Sequence, residues 1–166
     1  MSENKYTYKV KQKIVYPSQG VGTIKQIEEK EFKGELIPYY MIFLEDSDMT
    51  VMVPTDKAFE LGIRSIVHAD EAKRALEFIG EEFEPNPSDW KLRYQMNLDL
   101  LKKGSVMDIA TIVRSLYHRS KVKELPIMER KLYDQALKLF QDEVATAIKK
   151  SRDEVEKLIF ERLENR

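Results

Sequence analysis

The stretch Lys13-Ile14-Val15-Tyr16-Pro17-Ser18-Gln19-Gly20-Val21-Gly22-Thr23-Ile24-Lys25-Gln26-Ile27-Glu28 (KIVYPSQGVGTIKQIE) reads as strand, turn and strand. Ile14, Val15 and Tyr16 are β-branched or aromatic and suit a pleated, half-buried surface. Pro17-Ser18-Gln19-Gly20 is a turn signal, and Gly22 to Glu28 then alternates apolar with polar. Moving outward, Lys33-Gly34-Glu35 reads as a second turn. Tyr39-Tyr40-Met41-Ile42-Phe43-Leu44 and Met49-Thr50-Val51-Met52-Val53 are further strand candidates, separated by the polar Glu45-Asp46-Ser47-Asp48. Short strands with tight turns predict a small antiparallel β-barrel of the SH3 or Tudor type over residues 1–64.

Beyond about residue 70 the apolar period changes to that of a helix. Asp70 is a candidate cap for a helix ending at Ile79-Gly80. Asn86 or Ser88 is a candidate cap for the next, with Pro87 suited to its first turn and Gly104 to its end. Ser105 with Asp108 resembles a capping box ahead of Ile109, Ile112, Val113, Leu116 and Tyr117. Pro126 can open a long helix with Met128, Leu132, Ala136, Leu139 and Phe140 on one side. Ser151 with Glu154 caps a last helix carrying Val155, Leu158, Ile159 and Leu163. The prediction is an α+β chain of two domains, the barrel at 1–64 and a compact five-helix domain at 65–166.

The chain has 166 residues, 42% of them apolar and 34% charged, enough to build a packed core. It contains no cysteine, which excludes disulfide staples and thiolate metal sites. No apolar run approaches the ~18 residues of a membrane span, and no secretion signal is recognised, so a cytoplasmic protein without membrane contact is expected. The net charge of −1 hides an asymmetry. Residues 65–89 carry two bases and seven acids (−5), residues 90–131 ten bases and four acids (+6), and residues 132–166 seven and eight (−1). The sign switches at Trp90, the one tryptophan.

Catalytic and metal signatures are missing: there is no glycine-rich phosphate loop, His-Glu-x-x-His or Gly-x-Ser-x-Gly. The Gly20-Val21-Gly22 pair is explained by a tight turn. Glu28, Glu29, Glu45, Asp46 and Asp48 lack EF-hand spacing and read as solvated turn acids. No enzyme activity, cofactor or metal is expected. The basic stretch is the stronger lead. Lys91 and Arg93 follow Trp90, and Arg114, His118, Lys121 and, after the turn, Arg130 and Lys131 lie around a helix–loop–helix corner. Such a ridge is either a solvated helix face or a surface that neutralises phosphates. Trp90 likewise has two readings, a ring packed between helices or one exposed in a first helical turn, where Asp89 and Lys91 both expect water.

The order Tyr8-Lys9-Val10, Val15-Tyr16-Pro17, Gly20-Val21-Gly22, Lys33-Gly34-Glu35, Tyr39 and Thr50-Val51-Met52-Val53-Pro54 resembles the RNA-polymerase-interacting domain of the CarD/CdnL family, a module shared with the transcription-repair coupling factor. Trp90-Lys91-Leu92-Arg93-Tyr94 with Asn97 and Leu101 resembles that family's tryptophan helix, and Ile112-Val113-Arg114-Ser115-Leu116 and Glu129-Arg130-Lys131-Leu132 resemble later segments. The resemblance spans about residues 8–163.

It implies a bacterial regulator of transcription initiation without catalytic activity. Its Tudor-like domain would dock on the RNA polymerase β subunit, and its helical domain would meet promoter DNA at the upstream edge of the melted bubble. Trp90 would be a minor-groove wedge, with Arg93 and Arg130 on phosphates. Lys91, Arg114, Arg119, Lys121 and Lys131 complete the expected DNA-facing set. Lys30, Lys33, Tyr39, Val51 and Met52 form the polymerase-facing one. Met52 and Lys30 stand where arginine can occur, and lysine does not replace arginine in a two-point contact. Leu92 and Gln95 stand where further bases can occur. Neither helicase motifs nor a long acidic tail is present, so the short CdnL-like form is expected, as a monomer associated with the nucleoid through polymerase. The alternatives are an adaptor whose barrel recruits a protein partner, and a non-specific nucleic-acid binder using the basic ridge alone.

Overall fold

The computed structural model describes residues 6–82 and 89–164. The chain divides into two units, Met1–Ile66 and Val67–Arg166. In the first, β1 (Lys13–Tyr16), β2 (Gly20–Phe32), β3 (Glu35–Leu44), β4 (Met49–Pro54) and β5 (Arg64–Ser65) form an antiparallel sheet in the order β4-β3-β2-β1-β5. The expected division after residue 64 would cut β5.

The sheet grows from its tightest turn. Lys33 (φ 51°) and Gly34 (φ 82°) are both left-handed, the pattern of a two-residue hairpin turn whose twist matches the flanking strands. That fixes Phe32 opposite Glu35, and pairing then runs back to Gly22 opposite Leu44, with one irregularity between Ile24 and Gln26. Ile14, Ile24, Tyr40, Ile42, Leu44 and Val53 point to one face and are buried there. The Tyr8 hydroxyl donates to the Ile63 carbonyl at 2.9 Å, tying the segment before β1 to the segment before β5. Gly22 lies opposite the core residue Leu44, and a Cβ there would fall 2.7 Å from Ile42 Cγ2.

The sheet does not close into the expected barrel. β5 is two residues long and pairs with β1, so β4 and β5 remain the edges of an open sheet among the described residues. Closure requires strands long enough to carry the stagger around the ring.

The second unit holds α1 (Ala69–Ile79), α2 (Trp90–Lys103), α3 (Val106–Val122), α4 (Ile127–Ile148) and α5 (Arg152–Glu164) around one apolar core. Ser105 and Asp108 form the reciprocal capping box of α3. Ser151 accepts from the Glu154 amide at 3.1 Å ahead of α5, and Gly104 ends α2 in the left-handed conformation. Two capping expectations change. α1 is preceded by His68 in extended conformation, so Asp70 lies inside the first turn, where its charge favours the helix N-terminus. α2 is capped by Asp89, whose carboxylate accepts from the Lys91 amide at 3.0 Å. The candidate caps Asn86 and Ser88, and Pro87, lie outside the described residues.

Candidate nucleic-acid interface

With Asp89 as the cap, Trp90 is the first residue of α2, and the residue is 38% exposed. Three residues further on, a charged side chain turns inward. Arg93 is 2% exposed and Glu129 fully buried. The guanidinium donates twice to that carboxylate, Nε to Oε2 at 2.7 Å and Nη2 to Oε1 at 2.5 Å. Glu129 lies in the first turn of α4, where the helix N-terminus also favours its negative charge. The pair therefore joins the first turn of α2 to the first turn of α4.

This corrects the expectation that Arg93 holds a DNA phosphate. Its donors facing Glu129 are consumed inside the unit, and a phosphate would have to displace a carboxylate that would then be buried without its partner. Met128, expected on the buried side of α4, is 50% exposed, and Glu129 takes the inward position.

The remaining cations fall into two groups. Arg114 is half-buried on the α1 side, with its guanidinium 3.9 Å from the Phe78 ring centroid and donating to the Phe78 carbonyl at 3.3 Å. It is committed to packing. Lys91 in the first turn of α2, Arg119 and Lys121 in the last turn of α3, and Arg130 and Lys131 in the first turns of α4 stand exposed or half-exposed. Ser120, Glu124, Leu125, Ile127, Arg130 and Lys131 line an open groove of about 580 Å³ at the α3–α4 corner. Arg130 lies 3.7 Å from Asp134 at the surface, a pair that water and salt weaken. Beneath it, burial pushes the Tyr133 hydroxyl up to about 12, against the opposing influence of Arg130.

In the sheet unit, directly opposed residues share a face. Lys30 pairs with Ile37, Glu28 with Tyr39 and Tyr39 with Pro54, Gln26 with Met41 and Met41 with Met52. Lys30, Tyr39 and Met52 therefore lie on one face, opposite the core. Val51 is opposite Ile42 and packs against the core cluster, so it does not share a surface with its neighbour Met52. Strand alternation forbids both expectations at once. Lys33 sits at the hairpin tip, with its ammonium 5.4 Å from the Phe32 ring centroid.

Sequence reading missed Glu129 because an isolated charge defaults to the surface. Helical phase was the available signal: Glu129, Leu132, Tyr133 and Ala136 are in step and all buried, as are Arg93, Asn97 and Leu101. Among the described residues no group of acids, histidines or cysteines is placed to hold a metal. No helix is long and apolar enough to cross a membrane.

Comparison with known proteins follows the same division. Residues 8–67 match the model of the CarD-like/TRCF RID domain, and residues 74–160 match that of the CarD C-terminal domain. A relative, YdeB of Bacillus subtilis (strain 168), named as a candidate transcription factor, is 38% identical over 141 residues, covering 82% of this chain and 90% of that protein.

Proposed function

The chain belongs to the CarD family of transcription regulators that bind RNA polymerase, and on that premise we propose that it stabilises the promoter open complex through Trp90. The observation that carries this reading is an exposed aromatic ring on the first turn of α2, with Lys91 beside it and a buried ion pair one turn below. The sheet unit docks on the polymerase β subunit through the face bearing Lys30, Tyr39 and Met52. The helical unit meets promoter DNA at the upstream edge of the bubble, Trp90 wedges into the minor groove, and Lys91, Arg119, Lys121, Arg130 and Lys131 hold the backbone.

The energetics select the melted state. Inserting a ring between base steps costs about a few kcal/mol of unstacking. That cost is smallest where the duplex has already begun to open, so the ring binds the open form better than the closed one. A difference of ~1–2 kcal/mol shifts the balance about five- to thirty-fold. Phosphate contacts position the ring without reading sequence, so promoter choice lies with polymerase and with how readily the DNA melts.

The test is open-complex lifetime on one promoter, measured with and without the protein and with Trp90→Ala. The variant is expected to keep its circular dichroism and thermal midpoint and to lose most of the lifetime extension. A folded Trp90→Ala protein that extends the lifetime as the parent does would refute the wedge.

A further inference from the structure

We propose that Arg93 and Glu129 are positioning residues whose buried two-point ion pair sets the direction of the Trp90 ring. The idea rests on the wedge reading above and deepens it. A first helical turn is where a helix frays, since its leading amides have no partner within the helix. Asp89 supplies one acceptor, to the Lys91 amide. That bond holds the backbone of the turn but leaves its roll and tilt on the rest of the unit unfixed. Arg93 lies three residues after Trp90, on a neighbouring strip of the same helix surface. Its two parallel bonds to Glu129 fix rotation as well as distance, as a fork meeting a carboxylate does. The first turn of α2 is thereby referenced to α4, which also carries Arg130 and Lys131. Ring and backbone-holding cations then share one rigid frame.

Two features favour this over a mere stability role. Burying a charged pair is seldom the most stabilising choice, because apolar side chains of similar size commonly do as well. And lysine, which keeps the charge, cannot reproduce the fork. A positioning role therefore predicts sensitivity to Arg93→Lys, whereas a phosphate contact predicts tolerance of it.

Because Trp90 is the one tryptophan in the chain, its fluorescence reports on the ring without polymerase or DNA. In the full-length protein, the Trp90 anisotropy should be unchanged between about 0.05 and 1 M salt, since a buried pair is little screened. Arg93→Lys should lower the anisotropy and raise acrylamide quenching. It should also cut the open-complex lifetime by about fivefold, approaching Trp90→Ala. The paired replacement Arg93→Met with Glu129→Leu should stay folded and show the same looser ring. Parental anisotropy in either variant, or an Arg93→Lys protein with parental lifetime, would overturn the proposal. The two ideas fail separately: if Trp90→Ala leaves the lifetime unchanged the wedge is wrong, while the anisotropy measurements still decide whether the pair holds the ring.

Discussion

Glu129 is a fully buried carboxylate in the helical unit with a guanidinium as its partner. Its removal strands a buried positive charge. Glu129→Ala is therefore expected to lower unfolding free energy by about 3–5 kcal/mol, read from urea denaturation. Arg93→Met combined with Glu129→Leu should recover most of that loss, because neither charge then remains to be solvated. Gly22 poses the opposite problem in the sheet. A Cβ at that position meets Ile42 Cγ2 at 2.7 Å, so Gly22→Ala must push a core side chain aside and should cost about 1–3 kcal/mol. Tyr133 adds a pH dependence whose sign follows from its raised value. Below the ordinary tyrosine range of about 10 the folded and unfolded states bind the same proton. Between there and about 12 the unfolded chain releases it while the folded protein retains it. Unfolding thus becomes easier as pH rises through that window, and stability present at pH 9 should decline toward pH 12. Tyr8, also raised by burial, acts in the same direction in the sheet unit. Thermal melts at stepped alkaline pH check this, and Tyr133→Phe should flatten the decline in the helical unit.

At the scale of elements, the helices that were legible in the sequence are those closed by local chemistry. The Ser105–Asp108 box and the Ser151–Glu154 pair each lie within four successive residues, and both form as the spacing predicts. Ser105→Ala should cost about 1 kcal/mol, measurable as a lower thermal midpoint with the fold retained. The Lys33-Gly34 turn was legible for the same reason: a left-handed pair between two apolar runs admits few alternatives. What local pattern did not supply was anything decided by a distant partner. Apolar periodicity put Met128 inside α4, but Arg93, thirty-six residues earlier, draws Glu129 inward instead. The family resemblance implies that adjacent Val51 and Met52 both face the polymerase, yet pairing with Ile42 and Met41 sends them to opposite faces. Whether the strands close into a barrel depends on the length of β5, two residues near the end of its unit, and this too is a matter of non-local pairing. The candidate site was legible in its exposed half, Trp90 and the corner cations, and hidden in its buried half.

For the molecule as a whole, the charge that matters is the excess at the α2, α3 and α4 corner rather than the total of −1. The Arg93–Glu129 pair removes one base and one acid from residues 90–131, so nine bases against three acids still leave +6. The candidate phosphate contacts are reduced to Lys91, Arg119, Lys121, Arg130 and Lys131. Each contact to duplex DNA contributes about 0.9 to the slope of log affinity against log salt. Five contacts cap the slope at about 4.5 in magnitude, and binding of the isolated protein to a duplex should be weak, in the non-specific range of about 10⁻⁴ to 10⁻⁶ M. In the function proposed above, affinity at the promoter comes largely from polymerase binding, which turns the DNA contact into an event at high effective concentration. Titrating a labelled duplex at several salt concentrations tests the count directly. Arg130→Ala or Lys131→Ala should each reduce the slope by about 0.9, and the paired Arg93→Met, Glu129→Leu protein should keep the parental slope. A slope that falls in the paired variant would return Arg93 to the phosphates; one well above 4.5 would mean that DNA meets more of the surface than this corner.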